Sequence, residues 1–203
     1  TISHCKFIRV THRVGSEDAN ILTVDGDNNA IVNFVSCEFI ECAYSSDESL
    51  VKLKNKDPTI TFTDCVISFG QTGCQIIQAM NPQVVFERCQ ISGSVSNAIN
   101  LLSIPDDDTL KGIFKFNDNI VKKQTNNFIN IRNLKSVPQI NNNLFEDVTL
   151  NNEYMIYIEN NQKQLKLAFN TFSRITTSAD SETYSGGFSC FMPSSAKNSA
   201  TSP

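Results

Sequence analysis

A chain of 203 residues, 40% of them hydrophobic, is long enough for one domain with a substantial core. Its net charge of −4, with acids and bases interspersed and no basic run longer than Lys122-Lys123, leaves no electrostatic footprint for a nucleic-acid backbone. No apolar stretch approaches the roughly 20 residues of a spanning helix, and none reads as a signal peptide.

The chain opens directly on a strand pattern at Ile2, as a piece of a longer protein would, and one frame then recurs to its end. An apolar residue stands first, Cys or Asn fourth, and an apolar residue sixth. In chain order the frame reads Ile2-Cys5-Phe7, Phe34-Cys37-Phe39, Phe62-Cys65-Ile67, Phe86-Cys89-Ile91, Phe116-Asn119-Val121, Ile140-Asn143-Phe145 and Leu167-Asn170-Phe172. Successive fourth positions lie 32, 28, 24, 30, 24 and 27 residues apart, within the range of a solenoid coil.

Between the frames run further apolar strands that end in Asn or Asp turns. Ile21 to Val24, Leu50 to Leu53, Gln75 to Met80, Ile99 to Leu102, Phe128 to Ile131 and Met155 to Ile158 form this series. A third short strand leads back into the frame, as in Thr59 to Phe62 and Gln83 to Phe86. Three strands of this length, separated by corners unlike hairpin turns, pair with their equivalents one coil later, in parallel and about 4.8 Å apart. The expected fold is an all-β, right-handed parallel β-helix of about seven coils over residues 1–192, a rod roughly 34 Å long. Phe34, Phe62, Phe86 and Phe116 are expected to stack inside it, beside a second column of Phe39, Ile67, Ile91 and Val121. No window sustains helical periodicity, and a β-sandwich does not explain one frame returning seven times.

Seven cysteines form no CxxC pair, and four of them hold the fourth position of the frame. A metal reading needs converging ligands rather than a line of single ones. The ladder therefore reads as structural, Cys acting as a small buried hydrophobe and Asn as a hydrogen-bonding stack. Cys42, Cys74 and Cys190 fall outside it and receive no role.

Catalytic chemistry on such a scaffold would need carboxylates that converge across adjacent coils. Asp106, Asp107 and Asp108 make the best acidic cluster, with Arg132 as a neighbour one coil away, and these four are the candidate binding residues. The cluster also reads as a solvated turn. Asp25 to Asn29 reads as a turn rather than a calcium loop, and His4 and His12 have no metal-spaced partners. Glu153 and Glu159 have no carboxylate beside them in the repeat alignment. No catalytic residue, metal or cofactor is assigned.

Phe34 to Cys37 and Phe62 to Cys65 look like variants of an FxxN motif that Phe116 to Asn119 matches outright. Gly186-Gly187-Phe188 is similar to its GGA[ILV] companion, departing at the third position. From Ile2 to Phe191 the chain resembles the polymorphic-membrane-protein-like β-helix repeats of chlamydial autotransporters and of large surface proteins of parasitic protists, within the wider pectate-lyase-like superfamily. That resemblance implies a surface-displayed, non-catalytic rod for adhesion or host contact, with a protein or glycan partner. The superfamily also contains polysaccharide lyases and hydrolases. The absence of any Asn-x-Ser/Thr sequon, together with a ladder of reduced thiols, argues against a glycosylating secretory route and keeps an intracellular scaffold in competition.

A lateral partner is expected at the variable corners, from Tyr44 to Glu48 and from Thr176 to Tyr184. Residues 193–203, rich in Ser, Ala and Thr, read as a flexible tail. Neither end carries an amphipathic cap, so end-to-end self-association or continuation into further coils is expected.

Overall fold

The frame recurs because one residue per coil can turn the chain. In a computed structural model, the residue before each fourth position lies in the left-handed region: His4, Ser36, Asp64, Arg88, Asp118, Asn142 and Phe169, with φ between 53 and 59°. Strand, left-handed residue, inward residue and strand follow one another, and the apolar first and sixth positions both face inward. The structure describes residues 1–10, 21–25, 29–42, 49–54, 57–69, 75–80, 82–93, 98–102, 112–125, 127–134, 136–151, 154–159, 165–178 and 188–191.

The strands stack into three parallel sheets of seven. The first holds Ile2–Ser3, Ile31–Val35, Thr59–Thr63, Gln83–Glu87, Ile113–Asn117, Gln139–Asn141 and Lys166–Ala168. The second holds Lys6–Ile8, Glu38–Ile40, Val66–Ser68, Gln90–Ser92, Ile120–Lys122, Leu144–Asn151 and Thr171–Ser178. The third holds Leu22–Val24, Ser49–Leu53, Gln75–Met80, Ile99–Leu102, Ile129–Arg132, Ile156–Glu159 and Phe188–Phe191. Every strand pairs with its equivalent one coil on, so the chain is a parallel β-helix.

In-register pairing turns each frame position into a column. Phe34, Phe62, Phe86 and Phe116 are aligned across the first sheet and fully buried. Phe34 and Phe62 stack at 5.1 Å and Phe62 and Phe86 at 4.6 Å, while Phe116 tilts against Phe86 at 5.7 Å. The second column runs Phe39, Ile67, Ile91, Val121 and Phe145, also buried. Inward residues of the third sheet, among them Val51, Ile77, Ile99, Ile129 and Ile156, close the triangle. Each buried Phe or Ile contributes about 1.5–3 kcal/mol relative to exposure, which fixes register strongly because a one-residue slip would turn these columns outward.

The corner between the second and third sheets uses the same device. Arg9, Glu41, Lys123, Asp147 and Arg174 are left-handed there, and Gly93 takes φ 107°. A Cβ at Gly93 would lie 2.6 Å from the Phe69 carbonyl oxygen, so the position requires glycine for space as well as for angle. At the third corner Asn29, Asp57 and Asn133 are left-handed, and Asn133 is the turn residue read from the sequence after the strand ending at Ile131.

Outward charges are paired one coil apart. Lys6 meets Glu38 at 2.6 Å, Arg9 meets Glu41 at 2.7 Å, Arg88 meets Asp64 at 2.7 Å and Lys122 meets Glu146 at 2.8 Å. Arg174 bridges Glu146 and Asp147. Apart from Glu146, whose side chain is 19% exposed, the paired groups are solvent-exposed and screened by salt, so they specify neighbouring coils more than they stabilise them.

Candidate functional site

Two constructions stand out, one inside the coil and one outside. Inside, the fourth positions form the expected ladder. Cys37, Cys65 and Cys89 are stacked and buried, and each donates its thiol to the first-position carbonyl one coil below: Cys37 to Ile2 at 3.4 Å, Cys65 to Phe34 at 3.6 Å and Cys89 to Phe62 at 3.4 Å. Asn119, Asn143 and Asn170 donate their amides to the same carbonyl, of Phe86, Phe116 and Ile140, at 3.1, 2.8 and 2.7 Å. Each Asn Oδ1 also accepts the main-chain N–H of the ladder residue below, from Cys89, Asn119 and Asn143, at 2.8, 2.8 and 3.0 Å.

Cys5, Cys37, Cys42, Cys65 and Cys89 are free thiols. Burial pushes Cys37 and Cys42 up from the ordinary thiol range. At the stacked Cys65 and Cys89, the interaction between the two thiols pulls Cys65 down and pushes Cys89 up, with burial adding to the rise at Cys89. Among the described residues no group of three or more His, Cys, Asp or Glu is placed to hold a metal. Cys42, given no role in the sequence, is buried at the next corner, where it donates to the carbonyls of Phe7 at 3.6 Å and Ile40 at 3.7 Å.

Outside, Arg132 ends a strand of the third sheet whose Ile129 and Ile131 are buried inward. In register one coil on lie Tyr157 opposite Asn130 and Glu159 opposite Arg132. The Arg132 Nε lies 3.4 Å from a Glu159 carboxylate oxygen, and its guanidinium lies 5.7 Å from the Tyr157 ring centroid. Tyr154 stacks beside Tyr157 with centroids 6.1 Å apart. Burial, the Glu159 charge and a hydrogen bond to Glu159 push the Tyr157 hydroxyl above its ordinary range. Tyr157 and the Arg132–Glu159 pair thus lie on the outer face of the third sheet, with Tyr154 just before the Ile156–Glu159 strand.

Of the sequence candidates, Arg132 belongs to this cluster. Asp106, Asp107 and Asp108 lie outside the described residues, as do His12, Cys74, Glu153, Tyr44 to Glu48, the Gly186-Gly187 pair and the tail. Of Thr176 to Tyr184, residues 176–178 are described, and Thr176 shares a hydroxyl hydrogen bond with Thr149 at 3.2 Å. His4 occupies a left-handed corner and is exposed. Sequence reasoning missed Tyr154 and Tyr157. Aligning the two strands by coil length would have set Tyr157 beside Asn130 and Glu159 beside Arg132.

Among the described residues no helix is long and apolar enough to cross a membrane. No family model matches the chain, and no curated protein or solved structure matches it either.

Proposed function

We propose that this chain is a non-catalytic, surface-displayed β-helix rod that mediates adhesion or contact with a protein or glycan partner, akin to the polymorphic-membrane-protein-like repeats of the pectate-lyase-like superfamily. The observation that carries the reading is the outward cluster of Tyr154, Tyr157, Arg132 and Glu159. Aromatic rings beside a charged pair are a surface built for recognition, and a sheet anchored by the buried columns presents them with little ordering cost on binding. Glycan arrays and cell-binding assays with the full chain test it. Saturable binding supports the reading, and no binding to cells, glycans or extracellular proteins overturns it.

Free buried thiols and the missing sequon favour a second reading, an intracellular structural scaffold. Locating the full-length gene product separates the two. Both readings accommodate end-to-end self-association. Phe7 stacks on Phe39 at 5.0 Å near one end of a column, Phe172 stacks on Phe145 at 5.2 Å near the other, and Phe169 is 88% exposed. Sedimentation velocity reads this directly. A mass that rises with concentration supports it, and a single monomeric species at high concentration refutes it.

A further inference from the structure

We infer that the rod polymerises head to tail, the first coil of one copy seating in register on the seventh coil of another. This rests on the end-to-end association proposed above and names its partner, a second copy of this chain, and the two faces that meet.

Exposure picks out the end coils. Among the described residues the exposed large hydrophobics are Ile8, Ile31, Val137, Leu167, Phe169 and Phe172, and none lies between residues 32 and 136. Leu167 and Phe172 hold the inward first and sixth positions of the last frame. They are 39% and 37% exposed, where Phe34, Phe62, Phe86 and Phe116 are fully buried. Ile2 and Phe7, at the same positions of the first frame, are only partly buried. Both columns are therefore incompletely covered at either end. Phe169 is 88% exposed and held at φ 57°, an unfavourable setting for a bulky side chain.

The two ends carry opposite halves of the same bonds. At six successive junctions the N–H after the ladder residue donates to the ladder carbonyl one coil below, from Glu38 to Cys5 through Thr171 to Asn143, at 2.8–2.9 Å. A seventh such bond joins the Lys6 N–H of the second copy to the Asn170 carbonyl. The left-handed residue donates the other way, from His4 to Val35 through Asn142 to Ala168, at 2.9–3.2 Å. In the stack Phe169 donates likewise to the Ser3 carbonyl of the second copy. The Cys5 thiol, bonded to its own Ser3 carbonyl at 3.3 Å, gains the Leu167 carbonyl, as Cys37, Cys65 and Cys89 each reach one coil down. Phe7 extends the Phe145–Phe172 stack. The Phe169 ring meets His4, because side chains at this corner span one coil, as Arg88 does to Asp64 at 2.7 Å.

Strand direction sets the polarity. Every strand pairs in parallel with its equivalent one coil on, so head-to-tail contact keeps the frame in register and head-to-head contact reverses it. A head-to-tail contact joins two different faces and does not close, so it builds an open filament. Arg9 and Arg174 share a corner across the junction. Each is already paired within its own copy, Arg9 with Glu41 and Arg174 with Glu146 and Asp147, and salt screens what repulsion is left.

Sedimentation velocity and electron microscopy of the full chain at physiological ionic strength test the stack. A mass that grows beyond the dimer with concentration, and filaments one rod wide, are expected. Phe169→Asp should weaken association by about tenfold or more, as loss of a central aromatic anchor does. The fold accepts this change, since Asp64 and Asp118 occupy the same left-handed position at φ 53° and 59°. Gln90→Ala, exposed on the fourth coil, should leave association unchanged. In Asn170→Cys, in-register stacking sets the new thiol about 4.8 Å by backbone spacing from Cys5 of the next copy, within the range a disulfide spans. Oxidation with glutathione disulfide should then link the two, giving a ladder of dimers, trimers and larger species that Cys5→Ser abolishes; peptide mass spectrometry reads the link. Cys5–Cys5 links, growth that stops at the dimer, or association unchanged in folded Phe169→Asp overturns the register while self-association stands. A single monomeric species at high concentration overturns both, and another polypeptide segment, not a second copy, then meets the end coils. The adhesion reading is tested separately by cell and glycan binding and survives either outcome.

Discussion

Replacing Asn143 by Ala tests the account of the inner ladder at its middle. The Asn143 Oδ1 accepts from the Asn119 main-chain N–H at 2.8 Å and from its side-chain amide at 3.1 Å. Its Nδ2 donates to the Phe116 carbonyl at 2.8 Å and to the Asn170 Oδ1 at 2.9 Å. Asn143 is 2% exposed, so water does not replace these bonds without opening the coil. The Asn119 N–H, left buried and unsatisfied, costs about 1–3 kcal/mol, and each remaining bond contributes about 0.5–1.5 kcal/mol. The expected loss is therefore about 2.5–7.5 kcal/mol, a large share of the 5–15 kcal/mol typical of a domain. Asn143→Cys should cost about 0.5–1.5 kcal/mol less, because a thiol there restores the one donation to the Phe116 carbonyl, as Cys65 and Cys89 donate to Phe34 and Phe62, while the Asn119 N–H stays unsatisfied. Urea unfolding gives the stability change, and hydrogen exchange at the Asn119 amide shows whether the damage is local. A loss below about 1 kcal/mol for Ala, an equal loss for Cys, or unchanged exchange at Asn119 would refute the argument.

Three further outcomes follow from the same geometry. Phe62→Ala, which opens a fully buried gap between rings at 5.1 and 4.6 Å, should lower stability by about 3–5 kcal/mol, whereas Phe172→Ala, at a column end and 37% exposed, should cost less than half of that by urea midpoint. Hydrogen bonds from Arg88 to Asp64, from Lys122 and Arg174 to Glu146, and from Arg174 to Asp147 hold these carboxyls below their ordinary range. Their contribution is complete above the usual carboxylate pKa of about 4 and is lost as pH falls through the depressed values, so the urea midpoint should fall on acidification at low salt and fall less in an Asp64→Asn, Asp147→Asn variant; equal slopes would count against the pairs. Iodoacetamide should alkylate the partly exposed Cys5 well before the buried Cys37, Cys65 and Cys89, read by peptide mass spectrometry, and equal rates would contradict the ladder's burial.

The inner half of this architecture was legible and the outer half was not, for a physical reason. Phe34, Phe62 and Phe86, like Cys37, Cys65 and Cys89, occupy sites where one coil must match the next in size and polarity, so residue type repeats and the period is visible. The left-handed residue just before the ladder faces outward, and there Ser36, Arg88 and Phe169 all serve, so a constant backbone angle leaves no constant letter. Cys42 received no role from the sequence because its corner column holds different residue types from coil to coil, with Gln124 and Val148, like Cys42, buried. Tyr157 and Glu159 were visible as residues, but their partners Asn130 and Arg132 are 27 positions earlier and emerge only after the coil length at that point is known.

The change from Cys to Asn halfway along the ladder explains why the interior is silent about function. At the junction the Asn119 Oδ1 takes the Cys89 N–H, and its amide takes the Phe86 carbonyl, the counterpart of the Phe62 carbonyl used by the Cys89 thiol. The two residue types serve the same main-chain acceptor, so what the corner demands is a small side chain that reaches it, not thiol chemistry. Sheet pairing and the ladder together satisfy the backbone from within, and the outward positions are then released from any structural duty beyond solubility and register. Charges placed there pair coil to coil. Aromatic rings there satisfy neither requirement, since solubility favours polar groups and the buried columns already hold the register. Tyr154 and Tyr157 pack together beside the Arg132–Glu159 pair and outside the buried columns, and it is on that placement that the proposed recognition role rests.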